Sequence, residues 1–354
     1  MLGMRCLTTH QVSGPYGALP LRGAAGGAIT HGMERASPEP RVVSLIASAT
    51  EIVHALGAGG SQVARSHECD WPPAVLDLPT LTRPKFKVEG SSRSIDRAVK
   101  ALVEQGLAVY EVDADALQVL SPGVILTQDQ CEVCAVSLAD VERAVCTWIG
   151  SAPQIVSLRP HTMADVYADI VRVAAALRRP EAGEGLVERM RARIAQITAV
   201  VAGRAKPRLA FIEWIDPPMS GGHWMPELID AAGGTNLFGE TGANSPWITW
   251  DQVAAADPDV ILVAPCGYDI PVTSREMGVL AGNAVWEGLR AVREGQVYVA
   301  DGNAYFNRPG PRLVESAEIL AEILHPDACE FGHRGETFVP FAHAKTAHQA
   351  RAGA

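Results

Sequence analysis

The chain has 354 residues, of which 47% are hydrophobic and 20% charged, and its 30 basic and 40 acidic residues leave a formal net charge of −10. This length suits about two ordinary domains, and the apolar fraction excludes wholesale disorder. The negative balance excludes a general nucleic-acid binder, which needs a basic face. No run approaches the roughly 18 apolar residues that span a bilayer. The composition therefore predicts a globular protein of two domains.

Cysteine usage and the N-terminus both bear on the compartment. The seven cysteines are an odd number spread along a long chain, which favours reduced thiols over a disulfide-stapled secreted scaffold. Residues 1–40 contain scattered Gly and Pro and no unbroken apolar segment like that of a secretory signal. We predict that residues 1–40 are a disordered or mis-assigned extension, with Met33 as an alternative start, and that the protein is cytoplasmic.

The ordered region is expected to begin at Arg41, where a β-branched run precedes a helical pattern. Ser48 and Glu51 have the spacing of a capping box at the start of that first helix. Strand and helix patterns then alternate, which predicts a parallel sheet covered by helices. The expected strands are residues 42–46, 62–66, 108–112, 123–127 and 155–158, and the later helices are residues 95–105, 113–120 and 138–149.

About forty residues with helical periodicity follow, over 162–202, and Arg179-Pro180 interrupts them. Proline is tolerated in the first turn of a helix, so one helix is expected to end near Leu177 and another to begin at Pro180. Strand and helix patterns restart after Lys206-Pro207. The expected strands are residues 209–214, 260–264 and 297–300, and the expected helices are residues 226–231, 250–255, 285–291 and 312–324. The predicted organisation is a lobe over 41–160, a helical spacer over 161–205, a lobe over 206–330 and a loose tail over 331–354.

Candidate ligand contacts follow from this organisation, because open α/β sheets bind ligands outside the carboxyl ends of their strands. Aromatic residues are common just after the predicted strands, and aromatic walls suit a large, flat, partly apolar ligand. The side chains expected along a cleft between the lobes are Trp71, Phe86, Trp214, Trp224, Trp247, Tyr268, Tyr305 and Phe306. The alternative is that these rings pack the edges of the core.

The sharpest local motif is a C-x-x-C pair, Cys131 and Cys134, whose spacing is typical of a zinc half-site or a thiol–disulfide exchange motif. His67 and Cys69 follow another strand of the same lobe and would complete a tetrahedral set for zinc or another metal. The redox interpretation is less favoured, because the next helix is expected to begin only near Ser137. Buried apolar thiols remain the alternative.

Motifs of catalytic machinery are missing from the sequence. There is no G-x-x-x-x-G-K-[ST], no H-E-x-x-H and no G-x-S-x-G. Asp129, Glu132 and Asp269 stand singly, so no paired acid–base site is indicated. We therefore predict that the protein is not an enzyme.

An ordered set of short motifs runs from residue 41 to residue 326. They include RVVSL at 41–45, ASATE at 47–51, DWPP at 70–73, HWMPEL at 223–228, AGGTNLF at 232–238, SPW at 245–247, WDQV at 250–253, DPDVI at 257–261 and RPGPR at 308–312. This set resembles the vitamin B12 and iron-siderophore substrate-binding proteins of ABC transporters, and most closely the kind that binds cobalamin. The resemblance implies an α/β fold of two Rossmann-like lobes joined by a long interdomain helix, the class III periplasmic-binding-protein fold.

The resemblance also implies a function. It implies a non-catalytic, monomeric protein that holds cobalamin or a related corrinoid in the cleft, as a carrier or as an uptake component that docks on an ABC permease. Relatives dock through one acidic residue on each lobe, and the matching positions here are Asp115 and Asp251. The residues expected to bind the ligand are Glu68, Phe86, Trp214, His223, Trp224, Trp247, Tyr268 and Arg308.

Other interpretations stay open from sequence alone. The same fold could hold haem or a ferric siderophore. A cytosolic enzyme could use His67, Cys69, Cys131 and Cys134 as a zinc or redox site. A third possibility is a sensor that reports corrinoid level to a partner protein.

Overall fold

The structure of the protein is a computed structural model, and it describes residues 39–85, 90–104, 110–128, 141, 142, 145 and 152–341. Its strands are β1 (Val42–Ser44), β2 (Gln62–Arg65), β3 (Thr82–Pro84), β4 (Tyr110–Val112), β5 (Val124–Gln128), β6 (Gln154–Leu158), β7 (Arg208–Trp214), β8 (Met219–Ser220), β9 (Thr235–Asn236), β10 (Val260–Val263), β11 (Val297–Ala300) and β12 (Phe338–Pro340). Its helices are α1 (Ala47–Ala55), α2 (Ser92–Glu104), α3 (Ala114–Leu120), α4 (Met163–Ala176), α5 (Pro180–Val201), α6 (Met225–Ala231), α7 (Trp250–Ala256), α8 (Ile270–Glu276), α9 (Ala284–Gly288), α10 (Arg290–Arg293) and α11 (Leu313–Leu324).

The N-terminal lobe is built on a parallel sheet with the order β2-β1-β5-β6. Strands β1 and β5 are buried along their whole length, as expected for a parallel sheet covered on both faces. Two expectations are wrong here. Strand β4 pairs antiparallel with β3 outside this sheet. Helix α1 begins at Ala47 after Ile46, so Ser48 lies within the first turn and forms no capping box with Glu51.

The spacer consists of α4 and α5, with the break at the position that Pro180 predicts. Thr162 and Asp165 form a capping box that starts α4. Gly183 lets α5 lie close to α4, because a Cβ there would meet the side chain of Ala174. The 22 residues of α5 span about 33 Å. None of the helices described in the structure combines the length and the apolar character needed to cross a bilayer.

The C-terminal lobe is built on a sheet with the order β12-β11-β10-β7-β8, and β9 also pairs with β7. Strands β7, β9, β10 and β11 are parallel, whereas β8 and β12 run antiparallel to their neighbours. The helix expected over 285–291 is two short helices, because Leu289 is extended. Part of the expected loose tail is ordered: β12 closes the sheet with Phe338 buried, and Glu322 accepts the backbone N–H of Gly332 at 2.6 Å.

A single apolar cluster joins the two lobes. It extends from Val42 and Leu126 of the first sheet, through Ile170 of α4 and Leu186 of α5, to Leu320 of α11. Helix α5 packs on α4 and also on α6 and α11 of the C-terminal lobe. The spacer is therefore part of the core rather than a flexible linker.

Candidate functional site

Loops at the carboxyl ends of β2, β7, β10 and β11 meet between the lobes, and we call this region the inter-lobe face. One edge of it is what we call the buried ion cluster, in which Glu51, Arg308 and Arg312 are largely buried and Asp70 lies at the rim with 44% of its side chain exposed. Arg308 donates from Nη1 to Glu51 Oε1 at 3.2 Å and from Nη2 to Asp70 Oδ2 at 3.0 Å. Arg312 donates from Nε to Glu51 Oε2 at 2.9 Å. The lobes are thus joined by charge-assisted hydrogen bonds.

The cluster determines the ionisation of Asp70 and the role of Arg308. Desolvation alone would raise the pKa of Asp70, but the Arg308 hydrogen bond and charge hold that pKa below its usual range. The side chain of Arg308 is only 8% exposed, and both of its terminal nitrogens are occupied by the other lobe. The expectation that Arg308 contacts the ligand is therefore not supported. Arg308 instead connects the two lobes through Glu51 and Asp70.

Helix α2 forms the other edge of the inter-lobe face, and we call its contacts with the C-terminal lobe the α2 bridge. Arg93 donates from Nε and Nη2 to the two carboxylate oxygens of Asp216, both at 2.7 Å. The backbone N–H of Ser92 donates to Glu276 Oε2 at 2.9 Å. Unlike Arg308, Arg93 has 61% of its side-chain surface exposed. This edge is therefore open to solvent.

Two exposed tryptophans flank the face, one from each lobe. Trp71 is 46% exposed and Trp247 is 49% exposed. Each ring is covered by a cation of the opposite lobe: Arg312 Cζ lies 5.2 Å from the Trp71 ring centroid, and Lys100 Nζ lies 4.5 Å from that of Trp247. Such contacts contribute about 0.5–1 kcal/mol at exposed sites. Each edge of the face therefore has a half-exposed indole ring with a cation of the opposite lobe against it.

Trp214 is the last residue of β7, Tyr268 lies in the loop after the adjacent strand β10, and their ring centroids are 5.3 Å apart. Tyr268 is 7% exposed. Within the described part of the chain, neither Trp214 Nε1 nor Tyr268 Oη has a hydrogen-bond partner, although both atoms are buried. Burial raises the pKa of Tyr268 to about 12, so its hydroxyl stays protonated at neutral pH. The pair therefore presents two hydrogen-bond donors that the described residues leave unmatched.

The described members of the expected metal site are turned toward other partners. Thr50 donates a hydrogen bond to Cys69 Sγ at 3.0 Å, and burial raises the pKa of Cys69 to about 11. In the structure the Cys69 thiol is therefore engaged by a neighbouring hydroxyl. His67 Nδ1 lies 2.7 Å from Thr82 Oγ1. No three His, Cys, Asp or Glu side chains are grouped to hold a metal in the region that the structure describes.

Three expected site residues, Phe86, Cys131 and Cys134, lie outside the described residues. A ligand or zinc role for them stays a prediction. The remaining first-lobe candidate, Glu68, accepts a hydrogen bond from the Tyr110 hydroxyl at 3.0 Å. Burial raises the pKa of Glu68 despite this hydrogen bond. Glu68 therefore lies at the inter-lobe face as a half-buried carboxyl group.

Trp224 is a core residue, contrary to the expectation that it lines a cleft. It is buried, and its Nε1 donates to the backbone oxygen of Phe306 at 2.9 Å. Phe306 is also fully buried. The neighbouring His223 lies at the junction between the lobes, where its ring faces His161. Apolar patterning alone cannot separate a ligand-facing tryptophan from a core tryptophan.

The expected docking residues occupy equivalent positions in the two lobes. Asp115 lies in the first turn of α3, and Asp251 lies in the first turn of α7. Both are exposed. Each helix has a side-chain cap, since Asp113 accepts from the Ala116 N–H and Thr249 accepts from the Gln252 N–H.

Sequence reasoning missed the residues that join the lobes. Glu51 was interpreted as a helix cap, and Asp70 and Arg312 served only as parts of motifs. One signal was present, because Glu51 lies within an otherwise apolar helical pattern and a buried carboxylate requires a partner. Arg93 and Lys100 carry no such signal.

The chain is similar to known periplasmic binding proteins. The family model described as "Periplasmic binding protein" matches residues 42–304. The vitamin B12-binding protein of Vibrio cholerae serotype O1 is 22% identical over 293 residues, which cover 81% of this chain and 90% of that relative. The crystal structure of the periplasmic vitamin B12 binding protein of Vibrio cholerae has a TM-score of 0.58 and 21% identity, covering 81% of this chain and 97% of that one. A periplasmic heme-binding protein from Pseudomonas aeruginosa has a TM-score of 0.64 and 17% identity, covering 86% and 99%.

The family match spans most of the chain, and the chain therefore belongs to the periplasmic binding protein family. The solved structures share its fold, which confirms the predicted α/β, class III periplasmic-binding-protein architecture. The prediction of a cytoplasmic protein is wrong, because the family and these relatives are periplasmic. That prediction rested on the missing apolar segment in residues 1–40, which is weaker than family membership.

Proposed function

We propose that the protein binds cobalamin or a closely related corrinoid at the inter-lobe face, without catalysis, as the binding component of an ABC uptake system. The observation that carries the proposal is the pair of unmatched donors, Trp214 Nε1 and Tyr268 Oη, at the carboxyl ends of adjacent strands. Strand ends are where open α/β sheets bind ligands. The curated relatives that bind vitamin B12 supply independent support.

The chemistry of a corrinoid matches this pair. A buried donor without an acceptor costs about 1–3 kcal/mol, and a ligand that supplies the acceptor recovers that cost. The rim of a corrinoid carries several amide groups, whose oxygens accept hydrogen bonds. Its broad ring system also suits contact with Trp71 and Trp247. A flat ligand edged with acceptors would therefore satisfy both features of the face.

Haem is the second candidate, favoured by the heme-binding structure of the same fold and by the cations at the face. Lys100 and Arg312 would pair with haem propionates. Haem iron, however, takes an axial ligand such as His, Met or the deprotonated form of Tyr or Cys. Tyr268 and Cys69 both hold their protons, because burial raises the pKa of each. The curated relatives that bind vitamin B12 favour the corrinoid over haem.

The test is an absorbance titration of purified protein with hydroxocobalamin, in parallel with hemin. We expect shifted corrin bands and colour that stays with the protein through gel filtration. Protein that elutes colourless would refute the proposal, and retention of hemin alone would establish the second candidate.

Donor-deleting variants test the observation directly. Trp214→Phe and Tyr268→Phe remove the N–H and the O–H while keeping an aromatic ring, and each is expected to weaken cobalamin about tenfold. The matched control is Tyr298→Phe, since the Tyr298 hydroxyl bonds only within the second lobe, to Gln296 at 3.3 Å. If all three variants bound cobalamin with equal affinity, the proposed role of the donor pair would be contradicted.

We further propose that Asp115 and Asp251 dock the protein on its permease. Their exposure in equivalent first turns supports this role. Changing both to Lys is expected to abolish cobalamin uptake by cells while leaving cobalamin affinity unchanged. Asp77→Lys, at another exposed acid of the first lobe, is the control and should leave uptake intact. Normal uptake with the double variant would contradict this docking role.

A further inference from the structure

Two imidazole rings face each other where the spacer begins. His161 lies between β6 and α4, and His223 lies between β8 and α6, so the rings come from different lobes. Their centroids are 5.4 Å apart and their planes are inclined by 44°. Both residues are half-buried. This histidine pair is separate from the Trp214 and Tyr268 donors.

His223 is held firmly in place. Its backbone φ is +53°, a left-handed conformation that is uncommon outside glycine and asparagine. Its N–H donates to Ala243 O at 2.7 Å, and its carbonyl accepts from Gly242 N at 3.0 Å. Its ring stacks on Trp224 at 5.7 Å between centroids. The imidazole is therefore rigidly positioned.

One ring nitrogen of His223 is left unmatched. Nδ1 is buried and has no hydrogen-bond partner among the described residues. An imidazole nitrogen without a hydrogen-bond partner is the atom that coordinates a metal ion.

The opposing His161 is held from its own side. Asp165 Oδ2 accepts the backbone N–H of His161 at 3.0 Å and that of Thr162 at 2.8 Å. Glu227 Oε2 accepts the N–H of Met163 at 2.8 Å, which ties this segment to the other lobe. Both carboxylates hold the backbone of the segment in position beside the His223 loop.

We propose that His161 and His223 bind a divalent transition-metal ion of the copper, nickel and zinc class across the junction of the lobes. Imidazole nitrogens 2.0–2.1 Å from a tetrahedral ion place their ring centroids roughly 5 Å apart, close to the separation seen here. The described residues offer no third His, Cys, Asp or Glu in such a group, so water would complete the coordination. Copper(II) should bind most tightly, in the usual order for divalent ions. The site does not depend on the corrinoid proposal.

The test is calorimetric titration of the full chain with Cu²⁺, Ni²⁺ and Zn²⁺, each in glycine buffer that suppresses weak surface binding. His161→Gln and His223→Asn each remove one imidazole, and Asn tolerates the left-handed backbone at 223. We expect each to weaken Cu²⁺ at least tenfold. His54→Gln is the control: His54 is also half-buried with an unmatched Nε2, but its ring bonds with Gln62 rather than facing another imidazole.

Electron paramagnetic resonance of the Cu²⁺ complex provides a second readout that does not depend on affinity. The wild type should show hyperfine structure from two equivalent imidazole nitrogens, and either variant should show one. Circular dichroism confirms that the variants are folded. Unchanged affinity and unchanged spectra in both variants would overturn the site, and so would an equal loss in His54→Gln.

Discussion

The buried ion cluster and the α2 bridge join the same two lobes by the same chemistry, yet their surroundings differ. Arg308 and Arg93 each place a guanidinium on carboxylates of the opposite lobe. The Arg308 side chain is 8% exposed and that of its partner Glu51 is 2% exposed, whereas the Arg93 side chain is 61% exposed and that of its partner Asp216 is 16% exposed. Removing one partner of a buried ion pair leaves the other charge unpaired and poorly hydrated. Removing one partner of an exposed pair costs less, because water hydrates the remaining charge. We therefore expect the edge at the buried ion cluster to stay closed, which we call the fixed edge, and the contacts of the α2 bridge to open more easily.

This asymmetry suggests how a ligand would enter. The Trp71 ring lies against Arg312, which Glu51 holds in the buried cluster. The Trp247 ring lies against Lys100, whose other partner is Asp96 on the same exposed helix. The Lys100 side chain is 49% exposed, whereas that of Arg312 is 12% exposed, so Lys100 is the easier of the two cations to displace. We expect ligand to approach from the α2 edge.

The largest expected effect is on stability, from Arg308→Met. It leaves the Asp70 carboxylate without its guanidinium and leaves Glu51 with Arg312 alone, so the free energy of unfolding should fall by about 3 kcal/mol. Urea denaturation followed by circular dichroism measures this. Arg93→Met is the matched control, with an expected loss below about 1 kcal/mol. Equal losses would erase the distinction between the two edges.

The next effect is on ligand affinity and compares the two tryptophans. Trp247→Ala should weaken cobalamin binding about tenfold, because removing a stacked aromatic surface costs about 1–1.5 kcal/mol. Trp71→Ala should weaken it less than threefold, because Arg312 already occupies the ring face and is itself held. Equilibrium absorbance titrations give both constants. A larger loss at Trp71 would place the ligand at the opposite edge.

Acid should act on the fixed edge through Asp70. The folded pKa of Asp70 is depressed, so its contribution is present above the unfolded value near 3.9 and is lost as pH falls through the lower folded value. Because the Asp70 side chain is 44% exposed, screening limits this contribution to about 1 kcal/mol. Urea midpoints between pH 6 and pH 3 measure it. Asp70→Asn should show a flatter pH profile below pH 4, and an unchanged slope would contradict the pairing.

The smallest effect should belong to the exposed pair itself. A double-mutant cycle of Arg93→Gln and Asp216→Asn is expected to give a coupling of about 0.5 kcal/mol in dilute buffer. The coupling should vanish in 1 M NaCl, where the screening length is about 3 Å. A coupling that survives high salt would mean that this edge is as fixed as the other.

Local patterns predicted much of the fold. Strand and helix alternation gave both lobes, and Pro180 located the break in the spacer because proline constrains the helix that contains it. The strand-end rule points to Trp214 and Tyr268, and the ligand role of both stays a prediction. Each of these inferences depends on residues close together in the chain.

The predictions fail where a side chain's contacts come from residues far away in the sequence. The capping-box prediction for Glu51 is wrong, because the actual partners of its carboxylate, Arg308 and Arg312, lie 257 and 261 residues later in the chain. Trp224 was assigned to the cleft, yet a backbone oxygen 82 residues later accepts its indole N–H. Spacing alone carries no information about such contacts.

The apolar cluster that passes through α4 and α5 has a thermodynamic consequence. Each lobe has a smaller apolar cluster of its own, but the cluster that contains Leu186 of α5 includes side chains of both sheets. Neither lobe can unfold fully without exposing part of that shared cluster. Differential scanning calorimetry should therefore record one cooperative transition, with equal calorimetric and van't Hoff enthalpies.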